Sequence, residues 1–404
     1  MRIGLVIWSL LRIKGGIQRL GIDIAHAMRE RGHECVLVYQ DAEQAQSRSK
    51  PEPVYPVAPE IELLNLEMGN AASIGQARQR LQQSNLDVLC AMFSWNALRW
   101  FPALMNNTGI PLLISEHNDP YFIESERWNR YERLACMAGA DEIHMLNSHF
   151  TASLPQFLHS RLTVIPNPAP GPQPVDWQRE KSPRKTLLSV GRLVESSKQF
   201  SLLITAFAML AQEFPDWDLC ICGDGDALES YQQLVKKLNL TGRVFLPGKI
   251  DDISSYYASA HAFCLPSRYE GFGLVLTEAQ SFALPAVGFA ACSGVNEIIV
   301  HGKNGLLAPE MTAKSLASSL RLILKSAFSR KKMGEEGQKM LDRYAAARVF
   351  DAWEALFQKT AMHKNNTRLN VTDFSEEHKA TTALHEMLLR SAPGAPLLAK
   401  YGVE

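Results

Sequence analysis

The sequence predicts an α/β protein of two doubly wound domains, each a parallel sheet covered by helices. Three observations predict it. Short apolar or β-branched runs alternate with helical patterns along most of the chain, and strands alternating with helices at this spacing build βαβ units. The alternation stops over residues 167–183, with prolines at 168, 170, 172, 174 and 183, and then restarts. Glycines follow several of the predicted strands, at the strand ends where such sheets bind ligands. The length of 404 residues accommodates two domains with a sizeable core each.

In the first block, residues 3–8 read as a strand, 17–31 as a helix and 35–39 as a strand. Residues 88–93 and 112–115 are further strands, 124–138 a helix, and 142–146 and 162–165 short strands. The apolar N-terminus also fits a leader peptide. Arg12, Lys14, Gly15 and Gly16 follow it with no small-residue cleavage site, so it reads as the first strand. Residues 1–170 are expected to form the first domain, and the Pro-rich segment 171–183 an extended linker.

The second domain is expected over 184–343. Strands are predicted at 186–190, 217–222, 244–246, 262–265 and 285–289. Helices are predicted at 200–214, 228–238, 253–258 and 274–283, and across 312–327 and 330–342. Residues 344–358 continue as a helix too long to be a cap. The tail 361–404 differs in character: 373–389 fits an amphipathic helix ended by Pro393 and Pro396, and a docked helix and disorder are equally consistent with it.

Charge excludes some classes of partner. Lys+Arg and Asp+Glu both number 42, and residues 1–180 hold 16 basic and 19 acidic residues, so no basic half is hidden behind the neutral total. Nucleic acid is not an expected partner. The seven cysteines are an odd number, and Cys35, Cys90, Cys220, Cys222 and Cys264 fall in strand-like runs, which reads as buried reduced thiols. Cys220 and Cys222 form C-x-C with no second pair at zinc spacing, so no metal is expected there. No run reaches the roughly 18 apolar residues of a membrane span. The expected location is cytoplasmic, and the N-x-S/T matches at Asn365 and Asn370 then have no meaning.

The chemistry concentrates in a few loops. In Pro266–Ser267–Arg268–Tyr269–Glu270–Gly271–Phe272–Gly273–Leu274, a predicted strand leads in and a helix carrying Glu278 leads out. A helix N-terminus offers free N–H groups to an anion, and glycines admit close backbone approach. The stretch therefore suits a phosphorylated ligand that carries hydroxyl groups. Gly191–Arg192–Leu193, with Lys198 six residues after Arg192, follows the second domain's first strand. A guanidinium fork and an ammonium suit a diphosphate, and a solvated basic pair is the competing reading. Gly15–Gly16 follows the first strand but lacks the G-x-G-x-x-G pattern of dinucleotide sites. Asp224 and Asp226 form a D-x-D between glycines, read here as a turn and helix cap rather than a cation site. His117, after the strand at 112–115, has the chemistry to donate to a sugar hydroxyl or a developing oxyanion, or to be a satisfied loop histidine. Trp95, Trp100, Trp128 and Tyr131 fit an acceptor platform or simple core packing.

These residues resemble the retaining glycosyltransferases of family 4, which have the GT-B fold: two Rossmann-like domains facing a central cleft, with a C-terminal helix crossing back to the first. The matching pieces are Gly191–Arg192–Leu193 with Lys198, Gly223–Asp224–Gly225, Leu246–Pro247–Gly248, and Pro266–Ser267 leading into Glu270–Gly271–Phe272–Gly273 and Glu278. Ile165–Pro166–Asn167–Pro168, Gly15–Gly16 and Ser115–Glu116–His117–Asn118 also fit, so the likeness covers roughly residues 1–360.

The resemblance implies roles. Arg192 and Lys198 would bind the donor diphosphate and stabilise the leaving nucleotide, helped by the amides of Phe272, Gly273 and Leu274. Glu270 would hold donor-sugar hydroxyls and Glu278 the ribose hydroxyls. Gly16 and Gly191 would belong to the donor site, Gly16 leaving room for the phosphates. His117 would touch the transferred sugar, and main-chain groups near Lys249 and Ile250 would meet the base. The family's lysine is usually followed by glycine; here Gln199 follows Lys198.

The implied activity moves a hexose or N-acetylhexosamine from a nucleotide sugar, UDP-linked in preference, to a glycan or lipid-linked acceptor of bacterial surface polysaccharide or lipopolysaccharide. No cofactor and no metal are expected. Peripheral contact with the inner face of the cell membrane is implied where the acceptor is lipid-linked, with 95–100 and 127–133 as candidate surfaces. The rivals are a sugar-nucleotide epimerase of related fold and a GDP-mannose-dependent mannosyltransferase.

Overall fold

A computed structural model describes residues 1–7, 10–11, 15–40, 53–66, 71–92, 101–126 and 130–364. The chain divides into two units, Met1–Ile165 with Phe350–Glu404, and Pro166–Val349.

The first unit carries a seven-stranded parallel sheet of β1 (Arg2–Ile7), β2 (Glu34–Tyr39), β3 (Glu62–Asn65), β4 (Val88–Met92), β5 (Leu112–Glu116), β6 (Glu142–Met145) and β7 (Leu162–Val164), in the spatial order 3-2-1-4-5-6-7. Ile3 pairs with Cys35 on one side and Val88 on the other. The order reverses between β1 and β4. Every residue of β4 and β5 is buried, as in a sheet covered on both faces, and β4 is an unbroken apolar run. Helix α1 (Gly16–Glu30) buries Leu20, Ile24, Ala27 and Met28, one stripe at helical spacing. Strand β3 and helix α2 (Ala71–Gln83) are additions to the sequence reading. β3 is an edge strand with Leu63 half-exposed, and α2 is rich in Gln and Arg, so neither carries a strong apolar period.

The helix expected over 124–138 is found on both sides of residues 127–129, which lie outside the described residues. After the short α3 (Phe101–Met105), α4 (Pro120–Glu126) starts early and α5 (Arg130–Ala138) follows. The physical reason is a local cap: Asp119 Oδ1 accepts from the Tyr121 and Phe122 amides at 2.9 and 3.3 Å, and Pro120 opens the helix. Arg133 does not belong to any surface. It is fully buried and pairs bidentately with Glu116 at 2.6 and 2.8 Å, and with Glu124 at 2.7 Å. Residues 93–100 and 127–129, and so Trp95, Trp100 and Trp128, lie outside the described residues, while Tyr131 is exposed.

The second unit carries a six-stranded parallel sheet. Its strands are β8 (Lys185–Val190), β9 (Trp217–Cys222), β10 (Val244–Gly248), β11 (Ala262–Leu265), β12 (Ala286–Phe289) and β13 (Gly305–Ala308), in the order 10-9-8-11-12-13. The reversal falls between β8 and β11. Phe200, Phe207, Trp217, Leu219 and Ile221 are among the residues that fill the core. Strand β13 is absent from the sequence reading because four residues beside a Gly-rich turn carry no clear period.

The boundary between the units falls at Ile165–Pro166, and the segment 171–183, expected as an extended linker, lies as a strap on the second unit. Gln173 donates its amide to Ser281 O at 2.8 Å, and Arg179 reaches the Phe282 and Ala283 carbonyls at 3.2 Å. The strap runs without regular structure to a short 3-10 helix at Trp177–Lys181, and these bonds fasten it.

The last described helix, Ala346–Ala361, begins in the second unit and continues in the first. There Trp353 packs on His144 with ring centroids 4.4 Å apart, and Lys359 meets Glu142 at 2.7 Å. The expected helix at 373–389 lies outside the described residues. All seven cysteines are buried free thiols. No described helix is long and apolar enough to cross a membrane.

Candidate active site

The second unit's switch point gathers most of the predicted residues. The loop after β8 holds Gly191, Arg192 and, in the short helix Glu195–Lys198, Lys198; the loop after β11 holds Glu270 and leads into the helix Leu274–Ser281 with Glu278. β8 and β11 are neighbours, so residues some 70 positions apart in sequence meet beyond their carboxyl ends. Backbone bonds tie the adjoining loops together. Gly191 N donates to Cys222 O at 3.0 Å, Leu193 N to Asp224 O at 2.9 Å, and Gly223 N to Gly248 O at 2.8 Å. Asp224 also accepts from the Gly225 amide at 2.8 Å, so it serves the turn.

Lys198 Nζ pairs with Glu270 Oε1, and Ser267 Oγ donates to the same oxygen at 2.6 Å. Both charged side chains are largely buried, at 17% and 14% exposure. Glu270 Oε2 takes no partner among the described residues. Glu278 shows the same division: Oε2 accepts from Tyr257 OH at 2.8 Å, and Oε1 has no partner among the described residues. Burial, and then the Glu278 charge, push the Tyr257 phenol well above its ordinary range, so it stays a donor. Each carboxylate is therefore oriented by one oxygen and offers the other. Beside Glu278 a cavity of about 500 Å³ opens, lined by Tyr257, Ser254, Ser255, Phe282 and the strap residues Pro170 and Gln173 among others.

Between the two carboxylates lies a helix N-terminus. Gly273 caps it with φ +86°, a left-handed conformation that favours glycine. The amides of Phe272, Gly273 and Leu274 find no acceptor among the described residues. Arg192 is exposed, and its guanidinium has no partner among the described residues. The arrangement can hold an anion on amides and cations while two carboxylate oxygens receive hydroxyls. Lys249 is exposed and Ile250 half-buried, just after β10.

Two contacts escaped sequence reasoning. Tyr257 carries no motif. Gly294, in the helix Ser293–Asn296, lies so close to Glu270 that a Cβ there would stand 2.5 Å from its carbonyl oxygen and 2.7 Å from its Cβ. Only the tertiary approach of the loops after β11 and β12 reveals it. Gln199 is left-handed at φ +49°, and its Oε1 is sealed without a partner among the described residues.

Gly16 and His117 belong to the first unit. Gly16 is exposed at the start of α1, after β1. His117 follows β5, is 7% exposed, and places Nε2 at 2.7 Å from Ser115 Oγ. Burial and the neighbouring His144 hold it well below the ordinary histidine range, hence neutral.

Comparison with known proteins follows the same division. Residues 14–170 match the family described as Glycosyltransferase Family 4, and 176–340 that described as Glycosyl transferases group 1. A protein of Haemophilus influenzae named an uncharacterized glycosyltransferase is 26% identical over 351 residues, 85% of this chain and 96% of its own. An alpha-1,4-N-acetyl-D-galactosaminyltransferase of Campylobacter jejuni, named for a PP-undecaprenol glycan, is 23% identical over 277 residues, 68% of this chain and 76% of its own. The crystal structure of Anabaena HepE with UDP superposes with a TM-score of 0.71 at 18% identity, over 89% of this chain and 100% of that one, a likeness of fold. The two family matches take in most of both doubly wound sheets, with the loops after β8 and β11, so the chain belongs to glycosyltransferase family 4, with the GT-B fold and glycosyltransferase activity.

Proposed function

We propose that this chain is a retaining, metal-independent glycosyltransferase that takes a hexose or N-acetylhexosamine from a UDP-sugar and adds it to a glycan or lipid-linked acceptor. The observation that carries the reading is the pair of half-satisfied carboxylates, Glu270 and Glu278, on either side of three unaccepted amides. A nucleotide sugar has that pattern: sugar hydroxyls, a diphosphate, then ribose hydroxyls. Glu270 Oε2 receives the sugar, Glu278 Oε1 the ribose, and the amides with Arg192 and Lys198 the diphosphate. Gly191 lets the phosphates approach, and the main chain near Lys249 and Ile250 meets the base. To the first unit the same reading assigns Gly16, which leaves room for phosphate, and His117, which contacts the transferred sugar.

Breaking the anomeric C–O bond leaves negative charge on the β-phosphate and positive charge on the ring. The fixed cations and amides lower that barrier. With retention, the acceptor oxygen bonds to the anomeric carbon on the face the phosphate leaves, and its proton passes to a phosphate oxygen. Glu270 is tied to Lys198 and Ser267 and holds hydroxyls rather than attacking the sugar. UDP in the HepE crystal supports the uridine donor, and the Campylobacter protein's name supports a lipid-linked acceptor. Such a role belongs to surface polysaccharide or lipopolysaccharide synthesis, at the cytoplasmic face of the membrane.

A thermal-shift series with UDP, GDP and their sugars tests the donor, since a ligand of the native state raises the melting temperature with its concentration over Kd. UDP and one UDP-sugar should stabilise the protein. Stabilisation by GDP and GDP-mannose alone would replace the uridine donor with a mannosyl one.

A further inference from the structure

Three buried side chains near the end of the first unit's sheet form a chain of hydrogen bonds whose direction can be read. His144 Nε2 lies 2.8 Å from the Ile165 carbonyl oxygen. A carbonyl only accepts, so Nε2 carries the hydrogen. Full burial pushes the His144 imidazole down to about 4, so the ring is neutral and Nδ1 keeps a lone pair. Ser115 Oγ stands 2.8 Å from that Nδ1 and must donate its one hydrogen there. Only lone pairs of Oγ then remain for His117 Nε2 at 2.7 Å, so this nitrogen also carries its hydrogen. In neutral His117 the remaining nitrogen, Nδ1, holds a lone pair. It has no partner among the described residues, yet it is not among the polar atoms sealed from solvent.

We propose that Ser115 and His144 are positioning residues that lock His117 as its Nε2–H tautomer and present Nδ1 as a hydrogen-bond acceptor to a substrate hydroxyl. The proposal rests on the assignment of His117 to the transferred sugar, and it reverses the direction expected from sequence: His117 accepts where it was expected to donate. The direction suits the chemistry. Positive charge builds on the sugar ring as the phosphate leaves, and a neutral acceptor does not oppose it, whereas an imidazolium would. The relay is well anchored. Ser115 and His144 are wholly buried, and His144 is held between the Ile165 carbonyl and the Trp353 ring, 4.4 Å away. Ile165 is the last residue before the chain enters the second unit, and Trp353 lies just past its return at Phe350.

The test is long-range 1H–15N correlation of the full chain labelled with 15N-histidine, with His117 and His144 assigned from the spectra of His117→Gln and His144→Gln. In the wild-type protein both rings should show a pyridine-like Nδ1 and a pyrrole-like Nε2. A pyrrole-like Nδ1 in His117, or averaged nitrogens, would overturn the proposal whatever the variants do. Ser115→Ala should convert His117 to averaged nitrogens and lower kcat about tenfold, the worth of one hydrogen bond, while UDP affinity stays unchanged. A His117 pattern unaltered by Ser115→Ala would also overturn it. Failure of the donor reading shows elsewhere, as no stabilisation by any nucleotide beside an intact tautomer pattern.

Discussion

Lys198 and Glu270 form an ion pair across the switch point of the second sheet, and Ser267 shares the same carboxylate oxygen. The lysine sets the Glu270 rotamer, and under the proposed function its remaining N–H donors would serve the phosphate that leaves. Lys198→Ala is expected to lower kcat by about 10²–10³-fold, as loss of a preorganised charge does. The melting temperature should change little, since Ser267 still holds Glu270. Steady-state transfer assays beside thermal melts check both halves. Wild-type kcat in this variant would remove Lys198 from the machinery.

Gly294 fixes the Glu270 backbone by leaving no room behind it. Gly294→Ala forces a Cβ into contact at 2.5 Å with a carbonyl oxygen, which cannot swing away as a side-chain tip can. The expected cost is about 1–3 kcal/mol in stability, as for overpacking, with transfer reduced at least about tenfold. Urea unfolding and kcat together report it. Full activity in the alanine variant would show that the loop moves aside freely.

Gln199 occupies a left-handed position at the junction of two helices, φ +49°, with a sealed Oε1 that has no partner among the described residues. Both features cost stability, and glycine relieves both. Gln199→Gly should stabilise the protein by about 1 kcal/mol, the scale of the left-handed penalty for an L-residue. A rise in the urea midpoint is the readout. A fall would mean that packing of the glutamine stem outweighs the strain.

Acid should destabilise the fold through His144. The folded value near 4 lies below the unfolded value of about 6.5, so between these the unfolded chain binds the extra proton. Stability contributed by the neutral ring is full above pH ~6.5 and is lost as pH falls toward ~4, by about 2 kcal/mol for this one residue between pH 7 and 5. His117 adds to the loss in the same direction. Unfolding free energies at several pH values, compared with those of His144→Gln, check it. An equal slope in the variant would place the acid sensitivity elsewhere.

Much of the fold was legible because doubly wound sheets leave a strong imprint. β4 is an unbroken apolar run, β5 and β9 are largely apolar, and α1 carries a clear stripe. The elements that escaped, β3, α2 and β13, are an exposed edge, a polar helix and a four-residue strand, whose formation depends on neighbours rather than on their own period. The helix expected from 124 starts at 120 instead, because Asp119 and Pro120 open it earlier than the apolar pattern does.

By itself the sequence determined the order of strands and helices, and hence which loops sit at carboxyl ends. It also determined that Arg192, Lys198, Glu270 and Glu278 are the chemistry available there. Only the tertiary structure decided which oxygen of each glutamate has no partner among the described residues, that Tyr257 and Ser267 hold the others, and that Gly294 backs Glu270. It also decided that the proline-rich segment is a strap, and that Ser115 and His144 set the tautomer of His117. The reason is physical. Periodicity and loop chemistry are local and written in adjacent residues. The state of a hydrogen-bonding atom depends on partners from other strands, such as His144 and Ser115, 29 positions apart.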